Sequence, residues 1–307
     1  MARNTSFGRD TGLQARMLLT LFLLGLVYAV LVAALIAAGA GAVTIAIVAA
    51  ALFAVQLFSS DKIALYSMGA REVGPNDGEQ AHRLHAIIER LCIQANVPKP
   101  RVAIAMTPMP NAFAVGRSPK SATVCATAGI LDLLSDAELE AVLGHEITHV
   151  VNRDVVVMTV ASFFASIAAF ITQWGFLFGG GFGGNNRNNN NGNNFFFVVI
   201  LVSAAVYVVS FLLLQALSRY REFAADRGSA IITGRPSALI SALLKIDSGM
   251  NRIPQRDLRS TPSELAAFYI FPPKAKQTIG NLFSTHPPLA ARIARLQRLE
   301  AQLQGTA

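Results

Sequence analysis

The sequence predicts a multi-pass α-helical membrane protein that also carries a mainly α-helical α+β domain with a small β-sheet. Three observations predict it. Of the 307 residues, 53% are hydrophobic and only 14% charged, against about 25% charged in an average soluble domain. The deficit is concentrated in a few long uncharged runs, which is how membrane spans read. Outside those runs lie stretches of ordinary polarity, amphipathic at helical period and punctuated by short apolar runs between prolines.

Residues 1–16 form a polar tail with Arg3, Arg9 and Arg16 against Asp10. Met17 to Ala38 holds no charge, and at 1.5 Å per residue it is about 33 Å long, enough to cross a bilayer. The run is too long for a signal peptide, and a second begins almost at once. Gly39-Ala40-Gly41 is the turn, and Val43 to Phe58 the second span, so residues 17–59 read as a transmembrane hairpin. The arginines of the tail place it in the cytoplasm, and the hairpin returns the chain there.

Residues 60–153 read as the first part of the cytosolic domain. Gly78 to Gln94 is an amphipathic helix, with Leu84, Ile87, Ile88 and Leu91 three or four apart. His82 and His85 fall on it; a polar helix surface explains them better than metal binding. Pro98-Lys99-Pro100 breaks the chain before a strand at Arg101 to Met106. Asn111-Ala112-Phe113-Ala114-Val115-Gly116 reads as a second short strand, an ordinary core strand or an edge able to pair with an extended peptide. Ser121 to Ala126 is a third strand, and Gly129 to Leu134 a connector.

The next helix carries the strongest chemical signal, His145-Glu146-Ile147-Thr148-His149. On a helix, residues four apart share a face, so the two imidazoles can reach one metal ion while Glu146 holds a water beside it. Ser135 and Glu138 form a capping-box pattern at its start, with Asp136, Glu138 and Glu140 suiting the positive end of the helix dipole. Gly144 lowers helix propensity but would let a strand or a substrate approach closely. The helix is expected to run nearly straight into the next span.

Residues 154–178 form that third span. Residues 179–194 are a Gly/Asn-rich segment with one charge, Arg187, expected to be a disordered periplasmic loop. Residues 195–217 form the fourth span. The even count makes residues 218–307 the second part of the cytosolic domain, with both termini cytoplasmic. A zinc site needs a further protein ligand, and Glu222 can supply it. Asp226, four residues on, can accept a hydrogen bond from a ligating imidazole. Ala224 and Ala225 would let this helix pack against the metal helix. The other reading of Glu222 and Asp226 is a solvated face paired with Arg219, Arg221 and Arg227.

A helix starting at Arg235-Pro236 is expected to bury Leu239, Leu243 and Leu244. Ile253 to Pro273, with Phe268-Tyr269-Ile270-Phe271, reads as a membrane-surface flap or as domain packing. In the final helix Leu289, Ile293 and Leu296 form the apolar face, and Arg292, Arg295 and Arg298 the basic one. His286 could stabilise a developing oxyanion and Arg292 could pair with Asp226 or Glu222, with capping or packing as the alternative for each. Formal net charge is +8 and the excess lies after the fourth span, which suits anionic lipid headgroups. No motif for nucleic acid occurs. Cys92 and Cys125 read as reduced core residues.

The ordered set HEITH at 145–149, REFAAD at 221–226, NAFAVG at 111–116 and STHPPLAARI at 284–293, with paired spans before and between, resembles the HtpX-type membrane-bound zinc metallopeptidases, relatives of the CAAX prenyl endopeptidases. The resemblance covers nearly the whole chain. It implies a zincin-like catalytic domain and one Zn2+ per chain held by His145, His149 and Glu222. It also implies Glu146 as the catalytic glutamate and Asp226 as the acid behind a ligand. Asn111, Ala112, Phe113 and Ala114 would lie along the substrate-aligning edge strand. The expected role is hydrolysis of damaged or misfolded membrane proteins at the cytoplasmic face of the bacterial inner membrane, as protein quality control. The rivals are a CAAX-type prenyl-protein endopeptidase and a non-enzymatic membrane scaffold or assembly factor.

Overall fold

The computed structural model describes residues 10–37, 42–179, 190–252 and 286–305. The chain is mostly helical with one small mixed sheet, and it divides into two compact units. The first comprises residues 1–13, 59–156 and 218–307, the second residues 14–58 and 157–217.

The second unit is built from apolar stretches of four helices: α1 (Thr11–Ala37), α2 (Ala42–Ser67), α6 (Asp154–Gly179) and α7 (Asn190–Thr233). Its interior gathers Leu24, Tyr28, Leu31, Ala161, Ala168, Val206 and Leu217, and the Tyr28 hydroxyl donates to the Ala161 carbonyl. Many large apolar side chains point outward instead, among them Leu18, Phe22, Phe170 and Leu201, as a lipid-facing surface requires. Among the described residues three stretches are long and apolar enough to cross a membrane: Thr11–Ala37, Asp154–Gln173 and Phe197–Thr233. In α2, where the second span is expected, the apolar stretch found among them is the shorter Ala49–Phe58. Most of the Gly/Asn-rich segment, and the 253–273 stretch, lie outside the described residues.

The first unit holds the sheet: β1 (Ala70–Glu72), β2 (Arg101–Ala105), β3 (Ala112–Val115) and β4 (Thr123–Thr127), in the order β1-β2-β4-β3. The β2–β4 pair is parallel and the other two antiparallel. β1 is too short and too polar for an apolar-period reading to find. α3 (Glu79–Ala95) buries Leu84, Ile87, Ile88 and Leu91, the row its sequence predicts, and ends on Asn96 in the left-handed conformation. A short helix α4 (Ala128–Leu133) replaces the expected connector, capped by Thr127.

α5 (Asp136–Val151) runs through the middle of this unit, with every residue from Glu138 to Thr148 buried. Its start is locked: Glu138 accepts hydrogen bonds from Ser135 N at 2.9 Å and Ser135 Oγ at 2.8 Å. The same carboxylate accepts from Ser241 Oγ at 2.6 Å and Lys245 Nζ at 2.7 Å, both on α8 (Pro236–Arg252). α8 buries Leu239 and Leu243 but leaves Leu244 half exposed. Leu244 follows directly on Leu243, and 100° of helical rotation turns it off the buried face. In α9 (Leu289–Leu303) the expected basic stripe is split, because Arg292 turns inward to 1% exposure.

The expectation of a straight run from α5 into the span is overturned. α5 stops at Val151, Arg153 adopts φ 55°, and α6 begins afresh at Asp154. Left-handed backbone at one non-glycine residue costs roughly 1–2 kcal/mol, so the surrounding contacts hold this corner in place.

Candidate metal centre

α5 presents His145 and His149 one turn apart, and residues 218–233 of α7 cross it with Glu222 and Asp226. The crossing is close because small residues line it. A Cβ on Gly228 would stand 2.3 Å from Thr148 Cγ2, and one on Gly144 would stand 3.2 Å from Ser229 Oγ. Ser229 Oγ in turn donates to the Ala141 carbonyl at 2.5 Å. The neighbour that Gly144 admits is therefore α7, neither a strand nor a substrate. Ala225 is fully buried at the same crossing.

That approach brings three side chains together. His145 Nε2 lies 3.5 Å from Glu222 Oε2, His149 Nε2 lies 3.5 Å from Glu222 Oε1, and the two Nε2 atoms are 3.1 Å apart. Among the described residues this is the group of ligand-type side chains close enough to share a metal ion, with its donor atoms within 4.8 Å of one another. Behind each imidazole stands a carboxylate. Asp226 Oδ1 is 3.0 Å from His145 Nδ1, and Asp154 Oδ2 is 2.6 Å from His149 Nδ1. Each carboxylate faces an arginine: Arg292 grips both oxygens of Asp226, at 2.8 and 2.5 Å, and Arg221 Nε lies 3.1 Å from Asp154 Oδ1.

The donor set fits a metal. The two Nε2 atoms face each other across 3.1 Å with a Glu222 oxygen 3.5 Å from each, a spacing in which one cation can take both nitrogens and the carboxylate. Two imidazoles and one carboxylate are also the ligand types of a catalytic site that keeps an open position. Burial alone would lower the His149 imidazolium pKa. Its contacts with Asp154 and Glu222 outweigh that and push it up to about 10.

Glu146 is 5% exposed beside these histidines, and burial raises its carboxyl, partly offset by the two imidazoles. His286 is buried with Nδ1 3.1 Å from Glu222 Oε2, and Arg292 Nη1 reaches the same oxygen at 3.8 Å. By contrast, His82 is exposed and His85 Nε2 bonds the Val73 carbonyl at 2.8 Å. Asp154 and Arg221 went unnoticed in the sequence, where one reads as a membrane-boundary charge and the other as a solvated basic residue. The missing signal is the corner at Arg153, which spacing cannot reveal.

β3 lies at the edge of the sheet and packs against α5. Thr127 N donates to the Asn111 carbonyl at 2.9 Å. In an antiparallel ladder the pairing alternates, so Phe113 and Val115 also turn their backbone groups to β4. Ala112 and Ala114 turn theirs away from β4, to the outer edge of the sheet among the described strands.

The family model for peptidase family M48 matches residues 78–300. The chain belongs to peptidase family M48. Curated relatives extend the likeness over nearly the full length. The chain is 52% identical to a "Protease HtpX homolog" of Moorella thermoacetica over 97% of both chains. It is 48% identical to a "Protease HtpX homolog 2" of Methanosarcina acetivorans, over 96% of this chain and 98% of that one. It is 47% identical to a "Protease HtpX homolog 1" of Streptomyces coelicolor, over 97% and 96%. The crystal structure of S. mikatae Ste24p shares the fold with TM-score 0.50 at 18% identity, over 89% of this chain and 62% of that one. An M48 chain with three span-length apolar helices and HtpX-type relatives is a membrane metalloendopeptidase, acting on polypeptides in the setting of a lipid bilayer. The M48 assignment implies a metal, and the His-His-Glu cluster is where the chain can hold one.

Proposed function

We propose that this M48 peptidase is a zinc endopeptidase that hydrolyses damaged or misfolded membrane proteins at the cytoplasmic face of the bacterial inner membrane. The observation that carries the chemistry is the convergence of two Nε2 atoms and the Glu222 carboxylate on one point, with a carboxylate behind each imidazole. His145, His149 and Glu222 are the ligands of one Zn2+. Bound zinc polarises a scissile carbonyl and makes a water acidic enough to deprotonate near neutral pH. Glu146, buried beside the two histidines, takes the water's proton and returns it to the leaving amine. Asp226, held by Arg292, fixes the His145 ring. His286 touches Glu222, one side chain from the reacting carbonyl, where it can stabilise the oxygen as it gains charge. The substrate lies extended along Asn111 to Ala114, paired to the outward backbone groups of Ala112 and Ala114. Such pairing reads few side chains, which suits a quality-control enzyme. A prenyl-protein endopeptidase is less well supported, because the curated relatives at 47–52% identity carry the HtpX name while the Ste24p likeness is one of fold alone.

The test of the chemistry is metal content and casein cleavage on one purified sample, beside Glu146→Gln. The variant should keep stoichiometric zinc and lose cleavage; parent-like cleavage would remove Glu146 from the mechanism. Orientation rests on Arg3, Arg9 and Arg16 in the tail and on α2 completing a four-span topology. A cysteine at Asn190 should react with an impermeant thiol reagent in intact cells. Cys92 and Cys125 are buried and give a low background. Labelling only after the membrane is opened would overturn the topology.

A further inference from the structure

His149 has a support that differs from that of His145. Asp154 is 2% exposed and carries His149 Nδ1 on one oxygen and faces Arg221 Nε with the other. Two independent features of the backbone converge on this contact. Asp154 reaches back to His149, five residues earlier, only because the chain turns at Arg153 with φ 55°. A helix continuing past Val151 would carry residue 154 about 140° around the axis from His149. Arg221 immediately precedes Glu222 on α7, so whatever Asp154 holds through Arg221 is the turn that bears the third ligand of the centre.

We propose that Asp154 and Arg221 are positioning residues of the metal centre. Asp154 fixes the His149 ring with Nε2 inward, and Arg221 both orients Asp154 and ties the α5–α6 corner to the Glu222 turn. The centre is thus held by two parallel relays, Arg292–Asp226–His145 from α9 and Arg221–Asp154–His149 from the corner. This inference rests on the reading of His145, His149 and Glu222 as metal ligands. It also accounts for the left-handed residue, since a straight junction would leave His149 Nδ1 without Asp154.

The experiment uses the full chain in detergent. Zinc affinity is measured by chelator competition, unfolding of the metal-free protein by heating, and cleavage as separate kcat and KM. Outer carboxylates behind ligating histidines typically change metal affinity or activity 10- to 100-fold. Asp154→Ala should therefore weaken zinc about 10- to 100-fold and lower kcat with KM near that of the parent. Asp154→Asn keeps the shape and one acceptor oxygen and should recover part of the loss. Arg221→Ala should give a smaller loss, and the Asp154→Ala/Arg221→Ala double variant should be no worse than Asp154→Ala alone. A purely structural ion pair would lower the unfolding temperature and leave zinc affinity unchanged, and that result overturns the proposal, as does strict additivity in the double variant. Should Asp154→Ala not fold, unchanged zinc affinity in Arg221→Ala overturns it equally. A parent protein that holds no zinc would overturn the metal-centre reading itself, whereas a zinc-loaded parent beside unaffected variants overturns only the relay.

Discussion

Gly228→Ala tests whether the crossing of α5 and α7 sets the geometry of the centre. The added Cβ would stand 2.3 Å from Thr148 Cγ2 and 2.5 Å from Thr148 Oγ1, where apolar atoms normally rest about 3.5–4.0 Å apart. Thr148 has little room to yield, being 1% exposed with its hydroxyl bonded to the Gly144 carbonyl at 2.8 Å. The helices must separate by about 1 Å or more, while a metal tolerates ligand displacements of about 0.2 Å. Overpacking of this kind typically costs about 1–3 kcal/mol. The metal-free protein can relax by separating the helices, and zinc binding must then restore the strain. Zinc affinity should therefore fall about 10- to 100-fold, at 1.4 kcal/mol per factor of ten. Thr148→Ala removes both clashing atoms and leaves Thr148 Cβ at 3.0 Å, so the Gly228→Ala/Thr148→Ala double variant should regain most of the affinity. Gly144→Ala, whose Cβ meets Ser229 Oγ at 3.2 Å, should be milder, with a gain in helix propensity offsetting a smaller push. The assay is chelator competition for zinc on each purified variant. Parent-like affinity in Gly228→Ala, or a double variant no better than the single one, would refute the reasoning.

Two further outcomes follow from the same unit. Ala114→Pro removes an N–H that points away from β4, so the pairing with β4 survives; peptide affinity in a Glu146→Gln background should drop at least about tenfold while zinc is retained. Ala114→Ser should bind as the parent does, and equal affinity for the proline variant would move the substrate cradle elsewhere. Glu138 gives a pH dependence: burial raises its carboxyl, but Lys245, Ser241 and Ser135 outweigh that and hold it at about 2. A depressed carboxyl stabilises the fold fully above its unfolded pKa near 4.5 and progressively less as pH falls toward 2. The unfolding temperature should accordingly fall between pH 5 and pH 3 in the parent, and less steeply in Glu138→Gln; parallel curves would show that Glu138 does not couple to folding.

What the sequence makes legible is what depends on short-range spacing. The capping pattern at Ser135 and Glu138 and the two histidines one turn apart need only a helix to acquire their meaning, and the apolar row of α3 likewise. Contacts set by the path of the chain are not legible. Leu244 differs from Leu243 only by its rotation about the helix axis. Arg292 sits in a row of arginines at helical spacing; the sequence offers pairing with Asp226 or Glu222 beside capping or packing, and it is the docking of α9 that decides for Asp226. Asp154 is the sharpest case, because its partner is decided by one left-handed residue that no composition rule anticipates. Strand β1 escaped because three residues are too few to show a period.

The grip of Arg292 on Asp226 also imposes an order on biosynthesis. The ribosome releases His145 and His149 first, then both apolar stretches of α6 and α7, then Asp226, and only afterwards the arginine of α9. At the usual 5–20 residues per second, the interval between the first histidine and Arg292 is on the order of ten seconds. Over the last 66 residues of that interval Asp226 is present without the arginine that grips both its oxygens. The acid behind His145 is therefore anchored only once α9 has docked, after the apolar stretches of α6 and α7 have been made.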